Sequence, residues 1–242
     1  MTVTTGQIEA HATLRTLQGA FIVTGAASGL GLAIAKAIAQ AGGSPIVFDI
    51  HRPSGDLEHE QVDVADTRAV EEKVRAVVER HGGLTGVVAN AGIDACGRFE
   101  NISAEAWERV IRVNLMGTAA IVRAALPNLI KSHGRIVTVA STLGLRALSD
   151  ATAYCASKFG VVGFTRALSV ELAGQVGVTL LIPGGMHTHF FDGRDEKYKP
   201  APDAKLNRPE HVAQAVVFAL SQPEGCEVRE LLIAPSTETS WP

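Results

Sequence analysis

The stretch AFIVTGAASGLGLAIAKAIAQ, residues 20–40, decides the fold of this chain. Its first five residues form an apolar run that predicts a buried strand, and residues 32–40 have the spacing of a helix. The loop between them is rich in glycine, which lets the backbone turn tightly and approach a phosphate, while the helix start offers free N–H groups to a pyrophosphate. Glycine runs usually mark simple turns, but this position between a strand and a helix predicts a dinucleotide-binding loop. The candidate loop residues are Gly25, Ser28, Gly29, Leu30 and Gly31.

The alternation of strand and helix continues through the rest of the chain. Further strands are predicted at 45–49, 61–62, 86–89, 135–140, 175–182 and 230–233, and further helices at 67–80, 104–131, 151–173 and 209–220. Continuous apolar strands separated by helices imply a parallel sheet that is covered on both faces. With right-handed crossovers, this becomes a doubly wound, Rossmann-type α/β fold.

The chain is predicted to form one catalytic and dinucleotide-binding domain. No linker interrupts residues 16–242, and residues 1–15 are predicted to be a flexible N-terminal tail. Residues 183–208 are irregular and rich in Gly, Pro and charge, which predicts a substrate loop. Its Met186, Phe190 and Phe191 give an apolar face that either closes over a hydrophobic substrate or anchors the loop to the core.

Composition and charge exclude several classes of protein. Hydrophobic residues make up 46% and the net charge is −3, so disorder is not expected and no basic stripe suits a nucleic acid. The three cysteines show no CxxC spacing, which predicts a reducing, cytoplasmic setting without disulfides. Residues 16–35 carry no charge, but their glycine and hydroxyl content argues against a membrane span. His187 and His189 lack a third ligand at suitable spacing, so no metal site is predicted.

Asp49 ends the second predicted strand, eighteen positions after Gly31. An acidic residue at about this distance from the glycines commonly accepts hydrogen bonds from the adenosine ribose. Its charge would repel a 2′-phosphate, and no Lys or Arg lies within residues 26–30, so the sequence favours NAD over NADP. Two alternatives stay open: Asp49 is a solvated turn residue, or His51 and Arg52 accommodate the phosphate.

Tyr154 and Lys158 lie four residues apart, on one face of a predicted helix. A phenol needs its pKa lowered by about three units to exchange protons near neutrality, which is roughly 4 kcal/mol. An ammonium group about 4–5 Å away supplies roughly 3–4 kcal/mol at an effective dielectric near 20. Ser141 ends the preceding strand, where its hydroxyl could hold a substrate oxygen opposite the phenol. On its own, the spacing of Tyr154 and Lys158 would indicate only a packed tyrosine beside a surface lysine.

Together these residues give the chain a family resemblance. From about residue 17 to residue 233 it resembles the short-chain dehydrogenase/reductase family, whose motifs occur here in order and at the expected spacing. They are TGAASGLG at 24–31, Asp63-Val64, Asn90-Ala91-Gly92, Asn114, Ser141, YCASK at 154–158 and PGGMHT at 183–188.

The resemblance implies a role for each matching residue. Tyr154 would be the catalytic acid/base, Lys158 would lower its pKa and hold the nicotinamide ribose, and Ser141 would orient the substrate oxygen. Asn114 would hold a water in the proton relay, unless its side chain only caps a helix kink. The implied cofactor contacts are Asp63, Val64, Asn90, Ala91, Gly92, Pro183, Gly184, Met186 and Thr188, beside Tyr154 and Lys158.

The sequence departs from the family pattern at two places. Ala89 stands where many relatives have Asn, and the segment between Asp49 and Asp63 is short, so the usual helix there is expected to be truncated. Asp94, Leu143 and Arg146 follow strand ends and are candidates for lining the pocket.

The resulting hypothesis is an oxidoreductase that transfers hydride between NAD(H) and a secondary alcohol or ketone, with Tyr154 as acid/base. The alternatives are an NADP-dependent ketoreductase of the same family and a non-catalytic nucleotide-binding regulatory protein. The resemblance implies a homodimer or homotetramer that pairs its two long helices. The expected partner is a small-molecule substrate, with no nucleic acid and no membrane.

Overall fold

A computed structural model describes residues 16–238 of the chain. The predicted N-terminal tail, residues 1–15, lies outside the described residues, as do residues 239–242 of the predicted domain.

One parallel seven-stranded sheet forms the centre of the fold, in the order β3-β2-β1-β4-β5-β6-β7. This confirms the predicted doubly wound α/β fold. The strands are β1 (Ala20–Thr24), β2 (Ser44–Asp49), β3 (Glu58–Gln61), β4 (Gly86–Ala89), β5 (Arg135–Val139), β6 (Gly177–Pro183) and β7 (Glu230–Ile233).

Helices cover both faces of the sheet. They are α1 (Gly29–Gln40), α2 (Thr67–His81), α3 (Ala104–Ile111), α4 (Gly117–Ser132), α5 (Thr152–Glu171) and α6 (Pro209–Leu220). Successive side chains of a strand point to opposite faces, so Ile22 of β1 packs with α2 and α4 while Phe21 and Val23 pack with α1 and α6. The core on both faces is predominantly aliphatic, since only 5% of the residues are aromatic.

The strand order places a crevice at the carboxyl ends of β1 and β4. The chain proceeds from β1 outward to β2 and β3, then returns to β4 on the other side of β1. At such a reversal the connections leave in opposite directions, and ligands of open α/β sheets bind in the gap between them. The loops after Thr24 and Ala89 therefore face each other across this gap.

The third strand differs from its predicted position. It spans Glu58–Gln61 rather than residues 61–62, and it consists entirely of polar residues. β3 is an edge strand, where charged side chains are tolerated, and Glu60 is held by Lys73 of α2 at 2.8 Å. The connection from β2 to β3 contains no helix, as the short segment predicted.

The long predicted helix over 104–131 is continuous but changes its winding. α3 passes into α4 through a π-helical turn, Arg112–Met116. The combined helix Ala104–Ser132 is long and apolar enough to cross a membrane by length and composition, and half of its most apolar window is buried inside the fold.

The predicted substrate loop leaves β6 and returns to α6 through a narrow neck. The neck is closed by a bridge between Met186 and Asn207 and by backbone hydrogen bonds on either side of it. Beyond the neck, the loop contains two short 3-10 turns, His189–Phe191 and Glu196–Tyr198.

Candidate active site

The glycine loop after β1 has a backbone that only glycine adopts freely. Gly25 and Gly29 have φ angles of +64° and +54°, in the left-handed region that strains other residues. A Cβ on Gly25 would lie 2.6 Å from the Ala91 Cα. One on Gly31 would overlap the Gly25 carbonyl oxygen and lie 2.6 Å from Asn90 Nδ2. The loop is therefore packed closely against the turn that follows β4.

The N-terminus of α1 opens into the crevice without a cap from its own side chains. Ser28 is the N-cap but makes no side-chain capping hydrogen bond within the described chain, and the first turn holds no acidic residue. The first helical hydrogen bond runs from Leu32 N–H to the Ser28 carbonyl, so the preceding N–H groups have no helical partner. These free donors and the positive end of the helix dipole fit a pyrophosphate.

Asn90 holds the glycine loop in place through side-chain hydrogen bonds. Its Nδ2 donates to the carbonyl oxygens of Thr24 and Gly25 at 3.0 and 3.1 Å. The Thr24 hydroxyl in turn accepts the N–H groups of Asn90 and Ala91, both at 3.0 Å. The asparagine motif thus fixes the distance between the two halves of the crevice.

Asp49 ties the end of β2 to the same loop. Its carboxylate accepts hydrogen bonds from the N–H groups of Ala27 and His51, both at 2.9 Å. These bonds fix the carboxylate at the wall of the cleft, and Ile50 follows it there.

Asp63 and Val64 form the next part of the wall. Asp63 lies 2.6 Å from the Arg109 guanidinium and accepts the Ala65 N–H. Partial burial raises the pKa of Asp63, but these hydrogen bonds and the Arg109 charge outweigh it and lower the pKa overall. Arg109 was missed from the sequence, because nothing in its spacing links it to Asp63.

Tyr154 and Lys158 lie on α5 with both side chains buried. Tyr154 is 8% exposed and Lys158 3%. The Lys158 ammonium is 5.6 Å from the centre of the tyrosine ring and donates to the Val139 carbonyl oxygen at 2.8 Å. The Ser141 side chain hydrogen-bonds Tyr154 and also accepts the Leu143 N–H at 3.1 Å. The structure therefore brings the predicted serine, tyrosine and lysine together.

Burial dominates the acid–base properties of this group. It raises the pKa of Tyr154 above 10, although the Ser141 hydrogen bond acts in the opposite direction. The sequence predicted a lowered phenol pKa, and the contribution expected from Lys158 does not prevail in this structure. Burial also lowers the pKa of Lys158 to about 8, because removal from water disfavours the ammonium.

The buried lysine is expected to cost folding stability. Its proton is held less tightly in the folded than in the unfolded chain, with pKa values of about 8 and 10.5. This penalty is full below pH 8 and is relieved as the pH rises toward 10.5. We expect Lys158→Met to raise the unfolding free energy at pH 7 by about 1–3 kcal/mol, and this gain to shrink by pH 9.5. Urea unfolding of the cofactor-free protein measures both; a gain that grows with pH would contradict the explanation.

Asn114 lies inside the π-helical turn and is completely buried. Its Oδ1 accepts the Ile93 N–H at 2.8 Å, and its Nδ2 donates to the Ile93 carbonyl and to Ser157 Oγ at 2.9 and 3.0 Å. The side chain thus fastens the turn after β4 to α5. The sequence left two roles open for Asn114: holding a water in the proton relay, or capping a helix kink. Single π turns of this kind often occur at functional sites. Its predicted role in holding a water stays a prediction.

These parts surround one cleft of about 750 Å³. The wall includes most of the predicted site residues, namely Gly25, Ser28, Gly29, Leu30, Asp49, Asp63, Val64, Asn90, Ala91, Gly92, Tyr154, Lys158, Pro183, Met186 and Thr188. Gly31, Asn114 and Ser141 are not part of the wall but contact the wall residues Gly25, Ile93 and Tyr154. Gly184 does not line the wall, because its N–H continues the sheet by bonding Ile233 and its Cα faces Glu238 and Ala234.

The substrate loop closes one end of the cleft. Phe190 packs on Tyr154, with ring centres 5.6 Å apart, and Arg194 lies 3.1 Å from Asp94, which follows β4. Asp94 was a predicted lining residue, whereas Arg194 was missed. His189 pairs with Asp192 at the surface at 2.8 Å, and residues 16–238 hold no cluster of three or more metal-ligating side chains.

A dinucleotide cradle that meets a serine hydroxyl and a buried tyrosine and lysine at a topological switch point defines a nicotinamide-dependent oxidoreductase site. Residues 20–199 match the family model described as short chain dehydrogenase. The chain belongs to this family, whose members bind a nicotinamide dinucleotide.

Individual relatives carry different activities. The chain is 32% identical over 219 residues to 3-oxoacyl-[acyl-carrier-protein] reductase of Thermotoga maritima, covering 83% of this chain and 89% of that one. It is 31% identical over 219 residues to 2,5-dichloro-2,5-cyclohexadiene-1,4-diol dehydrogenase of Sphingobium indicum, covering 83% and 88%.

Two solved structures share the fold. An alcohol dehydrogenase of Thermococcus sibiricus complexed with 5-hydroxy-NADP superposes with a TM-score of 0.79 at 26% identity, over 89% of this chain and 96% of that one. The ligand-free aldohexose dehydrogenase of Thermoplasma acidophilum gives 0.82 at 27% identity, over 91% and 94%. Their names and those of the relatives cover both reductases and dehydrogenases.

Proposed function

We propose that the protein interconverts a secondary alcohol and a ketone with NAD(H), using Tyr154 as the acid/base. The observation that carries this proposal is the group formed by Ser141 and the buried side chains of Tyr154 and Lys158. Tyr154 and Lys158 line the same cleft as the glycine loop and the start of α1. A nucleotide sensor would not need a hydroxyl and an ammonium group at this place.

The residues of the chain divide the proton chemistry between them. In the direction of reduction, the Tyr154 phenol donates a proton to the carbonyl oxygen, and in oxidation the phenolate accepts the proton of the alcohol. The Ser141 hydroxyl is close enough to Tyr154 to hold the same oxygen. Lys158 is a buried positive charge that favours the phenolate. A bound nicotinamide would supply or accept the hydride at the substrate carbon.

Loss of the positive charge of Lys158 would weaken proton exchange by Tyr154. Because burial and the nearby Asp94 charge raise the pKa of Tyr154, the working phenol needs a cation nearby to exchange protons near neutrality. Lys158 and an oxidised nicotinamide ring, which is itself positive, are the two groups that can supply it. The buried Lys158 therefore lowers the folding stability of the protein while it supports catalysis.

The preference for NAD rests on Asp49. Its carboxylate is fixed at the cleft wall by two N–H groups, and it lies next to Ile50 rather than a cation. A ribose hydroxyl can donate to such a carboxylate, whereas a 2′-phosphate would meet a like charge.

We expect Asp49→Ala to narrow the difference between the two cofactors. The ratio of kcat/KM with NAD⁺ to that with NADP⁺ should fall by about tenfold or more, since one repulsive and one attractive contact are lost. Asp56→Ala, an exposed acid in the same connection, is the matched control and should leave the ratio unchanged. Equal or better use of NADP⁺ by the wild type would overturn the NAD assignment.

The second candidate is an NADP-dependent ketoreductase. One observation favours it: the similar alcohol dehydrogenase of Thermococcus sibiricus was solved with an NADP derivative. Titrating NADH and NADPH separately while following nicotinamide fluorescence distinguishes the two candidates. The same titration, followed by assays with a panel of secondary alcohols and ketones, separates an enzyme from a regulatory protein, which would bind without turnover.

We also propose a homo-oligomer in the cytoplasm. Met116, Phe159 and Val170 are exposed apolar side chains on the π-helical turn and α5, which suits pairing of these helices between copies. Light scattering that gives a monomer would contradict this. The cytoplasmic assignment rests on the three cysteines, all of which are free.

A further inference from the structure

An ion pair crosses the cleft between the substrate loop and the turn after β4. The Arg194 Nη2 lies 3.1 Å from the Asp94 Oδ2, and the two side chains are 14% and 7% exposed. This is unlike the other ion pairs of the described chain, in each of which at least one side chain is more exposed. A pair shielded from water is screened little and costs much to break.

The Arg194 guanidinium depends on Asp94 for its charge compensation. Nη2 is buried and forms no well-aligned hydrogen bond to any described residue. On the other side of the pair, Asp94 also accepts from the Ala95 N–H at 2.7 Å and from the Cys96 thiol at 3.1 Å. Asp94 is thus held within the turn after β4, and Arg194 is the partner that the substrate loop contributes.

The same guanidinium also fixes two aromatic rings. Its Cζ lies 4.7 Å from the ring centre of Phe190 and 4.8 Å from that of Phe191. Phe190 then contacts Tyr154, the proposed acid/base. A continuous chain of contacts therefore runs from Asp94 through Arg194 and Phe190 to the phenol.

We propose that Asp94 and Arg194 are positioning residues that hold the loop 188–206 closed over Tyr154 and set Phe190 as the substrate-facing wall. The ion pair closes the loop opposite its neck at Met186 and Asn207, so the loop is fixed at both ends of its span. This inference rests on the proposed function for its kinetic consequence, but not for its structural one. Closing the loop also keeps water from the reacting atoms.

The structural consequence is tested by proteolysis of the loop. Chymotrypsin cleaves after Phe190, Phe191 and Tyr198, and none of these sites is altered in the variants Arg194→Met, Asp94→Asn and the double variant. Cleavage at these sites, identified by mass spectrometry, should be about tenfold faster in each single variant because the loop opens more often. The double variant should be no faster than the singles, since they break the same contact.

The kinetic consequence shared by the two single variants is a rise in KM, because Asp94 raises and Arg194 lowers the pKa of Tyr154 and their removal acts on the phenol in opposite directions. In Arg194→Met and Asp94→Asn, KM for the alcohol or ketone should rise by about tenfold. The Kd for NADH should rise much less, because within the loop 188–206 only Thr188 is a predicted cofactor contact and the glycine loop keeps its own bonds. Arg194→Lys keeps the charge but not the planar group that stacks on the two rings, so it should lie between the wild type and Arg194→Met in both assays. Arg98→Met, which removes an exposed ion pair with Glu100, is the matched control and should change neither.

Three results would overturn the proposal. They are unchanged cleavage in both single variants, effects that add in the double variant, or a KM change matched by an equal change in NADH affinity. Should Arg194→Met fail to fold, the nearly isosteric Asp94→Asn carries the test. If the wild type binds NADH but turns over no secondary alcohol or ketone, the proposed function fails, while the proteolysis result still decides the role of the ion pair.

Discussion

Tyr154→Phe is expected to lower kcat by about 10²–10⁴-fold while leaving NADH binding intact. The variant removes only the phenolic oxygen, which is the proposed proton donor and acceptor and the partner of Ser141. The ring keeps its packing against Phe190, so the fold and the shape of the cleft are retained. Steady-state kinetics with any accepted alcohol, together with NADH fluorescence titration, measures both quantities.

The loss should not depend on the general stability of α5. Ser169→Ala removes a hydroxyl from the same helix at the surface, where it bonds the Arg166 carbonyl, and should leave kcat unchanged. Removing the buried hydroxyl of Tyr154 also relieves its hydrogen-bonding requirement, so the unfolding midpoint of Tyr154→Phe should fall little. Turnover of Tyr154→Phe at the wild-type rate would eliminate this residue as the acid/base.

Gly31→Ala is expected to abolish cofactor binding and to destabilise the fold. The added methyl group would overlap the Gly25 carbonyl oxygen and lie 2.8 Å from the Ala26 Cα, and both are backbone atoms. It would also meet Asn90 Nδ2, which is fixed by its bonds to Thr24 and Gly25. Since nothing can yield except the loop itself, the start of α1 must move away from the crevice.

The size of this effect follows from overpacking. We expect the unfolding free energy to fall by about 2 kcal/mol or more. The NADH affinity should fall by at least about 100-fold, because the displaced N–H groups at the start of α1 no longer bond the pyrophosphate. Gly163→Ala is the matched control, because a Cβ there meets nothing within 4 Å and the residue lies in a helix. The unfolding free energy of Gly163→Ala should rise by up to about 1 kcal/mol. Unchanged NADH affinity in Gly31→Ala would contradict the cradle.

The sequence was sufficient where a single segment determines its own structure. The strand, glycine loop and helix of residues 20–40 are read from local spacing, and the burial of β1 and α1 agrees with it. Tyr154 and Lys158 could be placed together because they are one helical turn apart. Asp49 was found because it ends the second strand at the usual distance after the glycine loop.

The features that escaped are pairs of residues distant along the chain. Arg109 with Asp63 and Arg194 with Asp94 are joined only by the fold, and no spacing rule signals them. β3 was misplaced because an edge strand can consist of charged residues, which carry no hydrophobic period. The raised pKa of Tyr154 arises from burial, a quantity that depends on everything packed around the phenol.

The strand order has a consequence for how the protein is synthesised. Because every strand pair is parallel, no two neighbours can join as a hairpin, and each pairing must wait for a crossover to form. β1 obtains its second neighbour only after residues 86–89 have left the ribosome. Until then, the nascent chain carries an apolar strand with one open edge, which is the kind of surface that aggregates or binds chaperones. β1, an interior strand of the finished sheet, is thus a vulnerable segment during translation.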